Sequence, residues 1–110
     1  MTADFEFKLK YKFICQDSYE AEKLTSIFTL QKDNTLFISK IVKIIDNEAV
    51  VMLKDGSHHS VMFKDDINSY KLERFFKELL SRNGKVTETN YIGDVAFISI
   101  NEPGAQQSKS

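Results

Sequence analysis

The chain has very little cysteine: Cys15 is the only one among 110 residues. A single cysteine excludes an intrachain disulfide and a metal site built from thiolates alone. Low cysteine content is typical of a reducing compartment, so we expect a cytoplasmic protein. No apolar run approaches the roughly 20 residues of a membrane-spanning helix, and Met1 is not followed by the basic and apolar segments of a signal peptide. We therefore expect no contact with a membrane.

Glycine, proline and tryptophan are also scarce, with four, one and none respectively. The few glycines stand at turns, at a helix end or near the end of the chain, which leaves no glycine-rich phosphate loop. No serine occupies the strand-to-helix elbow that hydrolases use. The net charge of −1 provides no general attraction to nucleic acid or anionic lipid. These absences favour a protein without catalytic activity and without a cofactor.

The composition that remains is that of one soluble globular domain. Hydrophobic residues make up 42% of the chain and charged residues 28%, which is usual for a folded domain of this length. Nine phenylalanines and four tyrosines predict an aromatic core. We expect one domain over residues 1–101. Residues 102–110, which hold the only proline and then small polar residues, are expected to form a disordered tail.

The first segment alternates apolar and polar side chains, which is typical of a strand with one buried and one solvated face. The apolar set is Phe5, Phe7, Leu9, Tyr11, Phe13 and Cys15. The opposite, mostly charged face carries Glu6, Lys8, Lys10, Lys12 and Ile14. We therefore expect a long strand of antiparallel sheet over residues 5–15.

The segment after this strand has two interpretations. Asp17 can cap a helix, with Glu20 completing a capping box. The later residues are rich in β-formers, which favours a short helical turn over residues 18–23 followed by a strand. The apolar residues also fall at helical spacing, so the alternative is one helix that extends to Leu30.

The middle of the chain predicts a three-stranded antiparallel meander over residues 36–63. Its strands are expected at residues 36–45, 49–53 and 60–63. Two polar turns separate them: Asp46 with Asn47, and Asp55 with Gly56. Asp-Gly is typical of a type I′ turn, in which both residues take positive φ.

The strongest helical signal lies at residues 67–82. Apolar side chains recur there every three or four residues and form one stripe. The stripe consists of Leu72, Phe75, Phe76, Leu79 and Leu80. We expect Asp66 or Ser69 to cap the start of this helix and Gly84 to end it.

Two further strands are expected at residues 86–92 and 95–100. The second is apolar on both faces, which is typical of a strand in the interior of a sheet. No internal sequence repeat is apparent. The fold expected is α+β, with about six to seven strands of mainly antiparallel sheet packed by one amphipathic helix, and a short helix near residues 18–28.

Lys8, Lys10 and Lys12 form the clearest candidate for a binding surface, which we call the lysine row. Alternate residues of a strand lie roughly 7 Å apart on one face, a spacing similar to that of nucleic-acid phosphates. The same pattern describes an ordinary solvated edge, where lysines discourage pairing with another strand. We favour the second interpretation, because no pattern of exposed aromatic residues accompanies the lysines.

Two other features invite a chemical role. His58 and His59 are adjacent, so on a strand they point to opposite faces and cannot bind one metal ion. No metal site is therefore expected. Cys15 would need a neighbouring base to act as a nucleophile, which a histidine could supply. A small enzyme built on Cys15 and a histidine is the third alternative for function.

The function we expect is that of a non-enzymatic protein-binding or regulatory module: a regulator, an inhibitor or an immunity-type protein. The edge of a long first strand can pair with a protein partner or with a second copy of the chain. The predicted contact residues are Lys8, Lys10, Lys12, Asp55, His58 and His59. Binding of nucleic acid through the lysine row, assisted by Lys40 and Lys43, is the second alternative.

Overall fold

The structure, a computed structural model, describes residues 6–30, 38–82 and 84–103. These residues form six strands and two helices: β1 (Glu6–Ile14), α1 (Ser18–Thr29), β2 (Ile38–Ile45), β3 (Glu48–Leu53), β4 (His58–Met62), α2 (Asp66–Ser81), β5 (Lys85–Ile92) and β6 (Val95–Pro103). Every pair of neighbouring strands is antiparallel. The predicted α+β class with mainly antiparallel sheet is confirmed.

The strands form two three-stranded sheets rather than one. Their orders are β1-β6-β5 and β2-β3-β4, and the second is the predicted meander. β6 lies in the interior of the first sheet, as its two apolar faces predict, and β1 lies at the edge. The sheets meet where Cys15, just after β1, forms a single antiparallel bridge with Phe63, just after β4.

Several strand ends differ from those expected. β4 begins at His58, earlier than predicted, and its last predicted residue, Phe63, forms the bridge instead. β6 extends to Pro103, beyond its predicted end and into the predicted tail. Phe5 of the predicted first strand, the first two residues of the predicted meander, and residues 104–110 lie outside the described residues.

The two halves of the chain share one order of elements: strand, helix, strand, strand. β1, α1, β2 and β3 correspond in turn to β4, α2, β5 and β6. The helix caps Asp17 and Asp65 stand 48 residues apart, and the turn residues Asn47 and Asp94 stand 47 apart. Each half gives its first strand to the sheet that holds the hairpin of the other half. The chain is therefore a structural repeat, although no internal repeat is apparent in its sequence.

The halves hold each other through matched hydrogen bonds. Asn68 Oδ1 accepts from the N–H of Ile14 at 2.9 Å, and Glu20 Oε1 accepts from the N–H of Met62 at 2.9 Å. Three further pairs of hydrogen bonds follow the same pattern. In the first pair, Gln16 N donates to Met62 O and Lys64 N donates to Ile14 O; in the second, Cys15 N donates to Asp94 O and Phe63 N donates to Asn47 O. In the third pair, Lys23 Nζ donates to Ser60 O and Lys71 Nζ donates to Lys12 O. The two bonds in each pair are related by the shift between the halves. The molecule therefore has an approximate twofold axis at the bridge between the sheets.

α1 continues to Thr29, so the interpretation as a short turn followed by a strand is wrong, and the alternative of one helix is confirmed. Asp17 caps it and accepts from the N–H of Glu20 at 2.9 Å. Its buried apolar residues, at helical spacing, are Ala21, Leu24, Ile27 and Phe28. The β-branched Thr25 and Thr29 are accommodated because their hydroxyls donate to backbone carbonyls one turn earlier.

α2 carries the centre of the aromatic core. The ring centroid of Phe75 lies 4.6 Å from that of Tyr11, 5.6 Å from Phe13 and 5.4 Å from Phe28. These tilted and edge-on contacts are the favourable geometries for aromatic pairs. The predicted apolar stripe is buried except at Leu80, which is 42% exposed because it lies at the margin of the helix face.

The cap of α2 is Asp65, not Asp66 or Ser69 as expected. Asp65 accepts from the N–H of Asn68 at 3.1 Å. Ser69 is fully buried, and its hydroxyl donates to the Asp46 carbonyl in the other half of the chain at 2.6 Å. A polar residue inside the first turn is therefore explained by a contact between the halves, which local capping rules do not foresee.

The hairpin turn between β3 and β4 is not type I′. Gly56 takes a positive φ of 90°, whereas Asp55 does not. The N–H of Gly56 donates to the Leu53 carbonyl at 2.9 Å, and the N–H of Leu53 donates to the Ser57 carbonyl at 2.9 Å. This pattern is the three-residue hairpin loop with a glycine bulge, in which only the glycine must be left-handed.

Candidate binding surface

Each sheet has an inner face toward the helices and an outer face on the opposite side. Tyr11 and Phe13 mark the inner face of β1 through their contacts with Phe75 of α2. The lysine row alternates with these aromatic residues, so it lies on the outer face, and all three lysines are exposed. Both helices of the described chain lie on the inner side, so no described helix covers the outer face.

The lysine row keeps its charges available. In the register with β6, Lys8 lies opposite Asn101, Lys10 opposite Ser99 and Lys12 opposite Phe97. Within the described residues, the ion pairs involve Lys23 and Arg82 and none involves the lysine row. Three lysines therefore follow one another on one face of β1, and none of them forms an ion pair with a described side chain.

The structural repeat offers an internal comparison for the lysine row. The positions of β1 that hold lysine correspond, in the second half, to Gly56, His58 and Ser60. His58 and Ser60 lie in β4 and take the places of Lys10 and Lys12, whereas Gly56 lies in the hairpin turn. The fold therefore does not require lysine at the positions of Lys10 and Lys12. This comparison favours a role for the lysine row beyond keeping an edge solvated.

The outer face as a whole is basic, with apolar residues at its centre. By register, its charged residues are six lysines and three glutamates: Lys8, Lys10, Lys12, Lys40, Lys43, Lys85, Glu6, Glu48 and Glu88. Its half-buried apolar side chains are Ile14, Val50, Met52, Met62, Val95 and Phe97. Sequence reasoning missed this apolar centre because a strand that is apolar on both faces normally has both faces covered. The alternation in β6 places Val95 and Phe97 on one face, and the register with β1 shows that this face also carries the lysine row.

The remaining predicted contact residues form the hairpin tip (Asp55, His58 and His59). The Asp55 carboxylate accepts from the Ser57 N–H at 2.9 Å and from the Ser57 hydroxyl at 2.6 Å. These hydrogen bonds lower the pKa of Asp55. The Ser57 hydroxyl also lies 3.1 Å from Nε2 of His59. This chain of hydrogen bonds stabilises the turn, and a binding role for Asp55 and His59 stays a prediction.

The two histidines lie on opposite faces of β4, as predicted. His58 lies opposite Met52 on the outer face and is exposed, whereas His59 lies opposite Val51 on the inner face and is half-buried. They therefore cannot share a ligand. Across the described ranges, no group of three or more His, Cys, Asp or Glu side chains is placed to hold a metal ion.

The structure does not bring the lysine row and the hairpin tip together. β1 and β4 run in opposite directions from the Cys15–Phe63 bridge. Lys10 and His58 each precede their bridge residue by five positions. At about 3.3 Å per residue, they lie on the order of 30 Å apart on opposite sides of the axis. The predicted contact residues therefore form two separate sites rather than one.

Cys15 is not placed for nucleophilic catalysis. It is fully buried, and its Sγ lies 4.0 Å from the Phe13 carbonyl oxygen. Burial raises the pKa of the thiol to about 12, and the nearby charge of Glu20 adds to this effect. The thiolate is the reactive form, so this thiol is almost unreactive at neutral pH. The arrangement weighs against the enzyme built on Cys15 and a histidine.

No helix within the described ranges has the length and apolar character needed to cross a membrane. Comparison of the chain with protein-family models, with curated proteins and with solved structures found no match. The functional argument therefore depends on the residues of this chain alone.

Proposed function

We propose that this chain is a non-enzymatic protein-binding module, acting as a regulator or inhibitor, and that it binds its partner through the outer face of its sheets. The lysine row supplies the charged contacts, and the apolar centre around Phe97 supplies the buried ones. The hairpin tip does not belong to this surface, except for the exposed His58 at its far end.

The observation that carries the proposal is the open, half-apolar outer face. A sheet that packs helices on one side usually exposes polar residues on the other. Here the central strand of the first sheet instead presents Val95 and Phe97 there, both half-buried, next to Lys12. An apolar centre with a polar and charged rim is the usual composition of a protein interface.

The test is an affinity purification from lysate of the source cells, with and without nuclease. We expect a protein partner that is retained in fixed proportion and is indifferent to nuclease. The double substitution Lys8→Glu with Lys10→Glu should abolish its retention, since it reverses charge on the outer face. The matched control, Lys54→Glu with Lys77→Glu, reverses two exposed charges elsewhere and should retain the partner. Equal retention by both double variants would contradict the proposal.

A second function, binding of single-stranded nucleic acid, is favoured by one observation. Phe97 lies at the centre of the first sheet between Lys12 on one side and Asn90 on the other. Open sheets that bind single strands use such an aromatic residue to stack a base and neighbouring lysines to contact phosphates. In this case, affinity for a uridine oligonucleotide would fall with salt at a log–log slope of about −2 for three lysines. Phe97→Ala would weaken binding at every salt concentration.

A further inference from the structure

The edge of β1 that faces away from β6 is only partly closed. Near the bridge, the N–H of Ile14 donates to Asn68 and its carbonyl accepts from Lys64, while the Lys12 carbonyl accepts from Lys71 Nζ at 2.5 Å. Backbone groups on one edge of a strand recur at every second residue. Lys8 and Lys10 therefore present their N–H and C=O groups on the same edge. Within the described residues, these groups have no hydrogen-bond partner.

The equivalent edge of β4 is closed over most of its length. There the N–H of Met62 donates a hydrogen bond to Glu20 Oε1 at 2.9 Å, and the Ser60 carbonyl accepts one from Lys23 Nζ at 2.7 Å. β4 has only five residues, whereas β1 has nine. In both halves, hydrogen bonds thus occupy the backbone groups of the strand edge near the axis, but β1 extends beyond the part of its edge that is occupied in this way. The unsealed length of β1 is the part that carries the lysine row.

We propose that this unsealed edge accepts an extended acidic segment of the partner protein as an added strand. The inference deepens the proposed function and rests on it. An antiparallel strand in this place would exchange backbone hydrogen bonds with Lys8 and Lys10. Its residues directly opposite the lysine row would share the outer face, where aspartate or glutamate complements the three lysines.

The alternate residues of the added strand would lie on the inner side. They would face the half-buried Leu9 and Tyr11 of β1, so apolar side chains suit them. The partner segment is therefore one in which acidic and apolar residues alternate. Its length is limited at one end, because Lys71 already occupies the edge at Lys12.

A second copy of this chain does not fit the same edge. Antiparallel pairing of two β1 strands through Lys8 and Lys10 would place at least one lysine of one copy directly opposite a lysine of the other, and like charges directly opposite are unfavourable. The self-association that the sequence also suggested is therefore disfavoured at this edge. Charge complementarity selects an acidic partner instead.

The test uses three blocked seven-residue peptides and the intact protein, with affinity measured by isothermal titration calorimetry. The first peptide alternates glutamate and valine. The second is identical but N-methylated at the glutamates, which keeps its charge and removes the donors to β1. The third replaces glutamate by lysine. We expect the first peptide to bind at least tenfold more tightly than the other two, and to slow amide hydrogen exchange at Lys8 and Lys10 at least tenfold.

The protein variants complete the design. Lys8→Glu with Lys10→Glu should weaken the acidic peptide at least tenfold, and Lys54→Glu with Lys77→Glu should change it less than twofold. Equal binding of the methylated peptide would overturn strand addition in favour of charge attraction alone. No binding of the acidic peptide, or its displacement by a uridine oligonucleotide that binds more tightly, would also overturn it. If the acidic peptide does not bind while retention of the cellular partner still depends on the lysine row, only the inference of strand addition is refuted. If that partner is indifferent to the lysine row, the proposed function falls as well.

Discussion

Replacement of Glu20 tests whether the two halves depend on the side-chain hydrogen bonds that join them. Glu20 is 8% exposed, and its Oε1 accepts from the N–H of Met62 at 2.9 Å. Glu20→Leu keeps an apolar body of similar size but leaves that partly buried N–H without an acceptor. A lost partner of this kind costs about 1–3 kcal/mol. We therefore expect the free energy of unfolding to fall by about 2 kcal/mol.

The matched control is Glu20→Gln, which keeps an acceptor oxygen and removes the charge. It breaks the 3.1 Å ion pair with Lys23, and a pair of this kind near the surface contributes at most about 1 kcal/mol. The assay is urea unfolding followed by circular dichroism. Slopes for small domains are about 1–3 kcal/mol per molar urea, so Glu20→Leu should lower the midpoint by roughly 1 M. A loss below about 0.5 kcal/mol, or equal losses for both variants, would refute the argument from the hydrogen bond.

Three other predictions follow from buried or capping residues. Phe75→Ala should lower the free energy of unfolding by about 3–5 kcal/mol. Leu80→Ala, at a 42% exposed position, should lower it far less. Similar losses for the two variants in urea titrations would count against the assignment of the core. Burial raises the pKa of the Cys15 thiol from an ordinary 9.0 to about 12. Cys15 should therefore react with iodoacetamide at pH 8 about 1000-fold more slowly in the folded protein than in urea. A comparable rate in the two states would show that the thiol is accessible in the folded protein. Hydrogen bonds from Asn68 hold the pKa of Asp65 below its ordinary 3.8, so the stability that they provide is present above that value and lost as the pH falls through the lower folded pKa. The stability difference between the wild type and Asp65→Asn, which keeps the cap without titrating, should therefore change between pH 5 and pH 2, and a constant difference would contradict the assignment.

Local patterns predicted most of the elements because each pattern is decided by one face of one element. The alternation in β1 and the apolar stripe of α2 required no knowledge of their neighbours. α1 was misinterpreted because Thr25 and Thr29 have β-propensity, which hydrogen bonds of their hydroxyls to the helix backbone offset. Propensity is a weak prior, and the buried face formed by Leu24 and its neighbours decides the outcome.

The sequence could not reveal how the strands pair. The register joins Glu6 to Pro103 across almost the whole described chain, and periodicity carries no information about partners. For the same reason, the lysine row could be placed on a solvated face, but its free edge could not be foreseen. The openness of the outer face beside Phe97 also follows from topology, since the strand pattern alone indicates cover on both sides.

The exchange of first strands between the halves also fixes an order of events during synthesis. The sheet β2-β3-β4 uses strands that leave the ribosome one after another, so it can form while the chain is still growing. Among the described strands β1 emerges first, yet its partner β6 emerges last. Contacts so distant in sequence close slowly because the intervening loop must be ordered. The lysine-bearing strand therefore remains unpaired on both edges while the residues between β1 and β6 are made, and the growing chain must keep it from pairing elsewhere until Val95–Pro103 emerges.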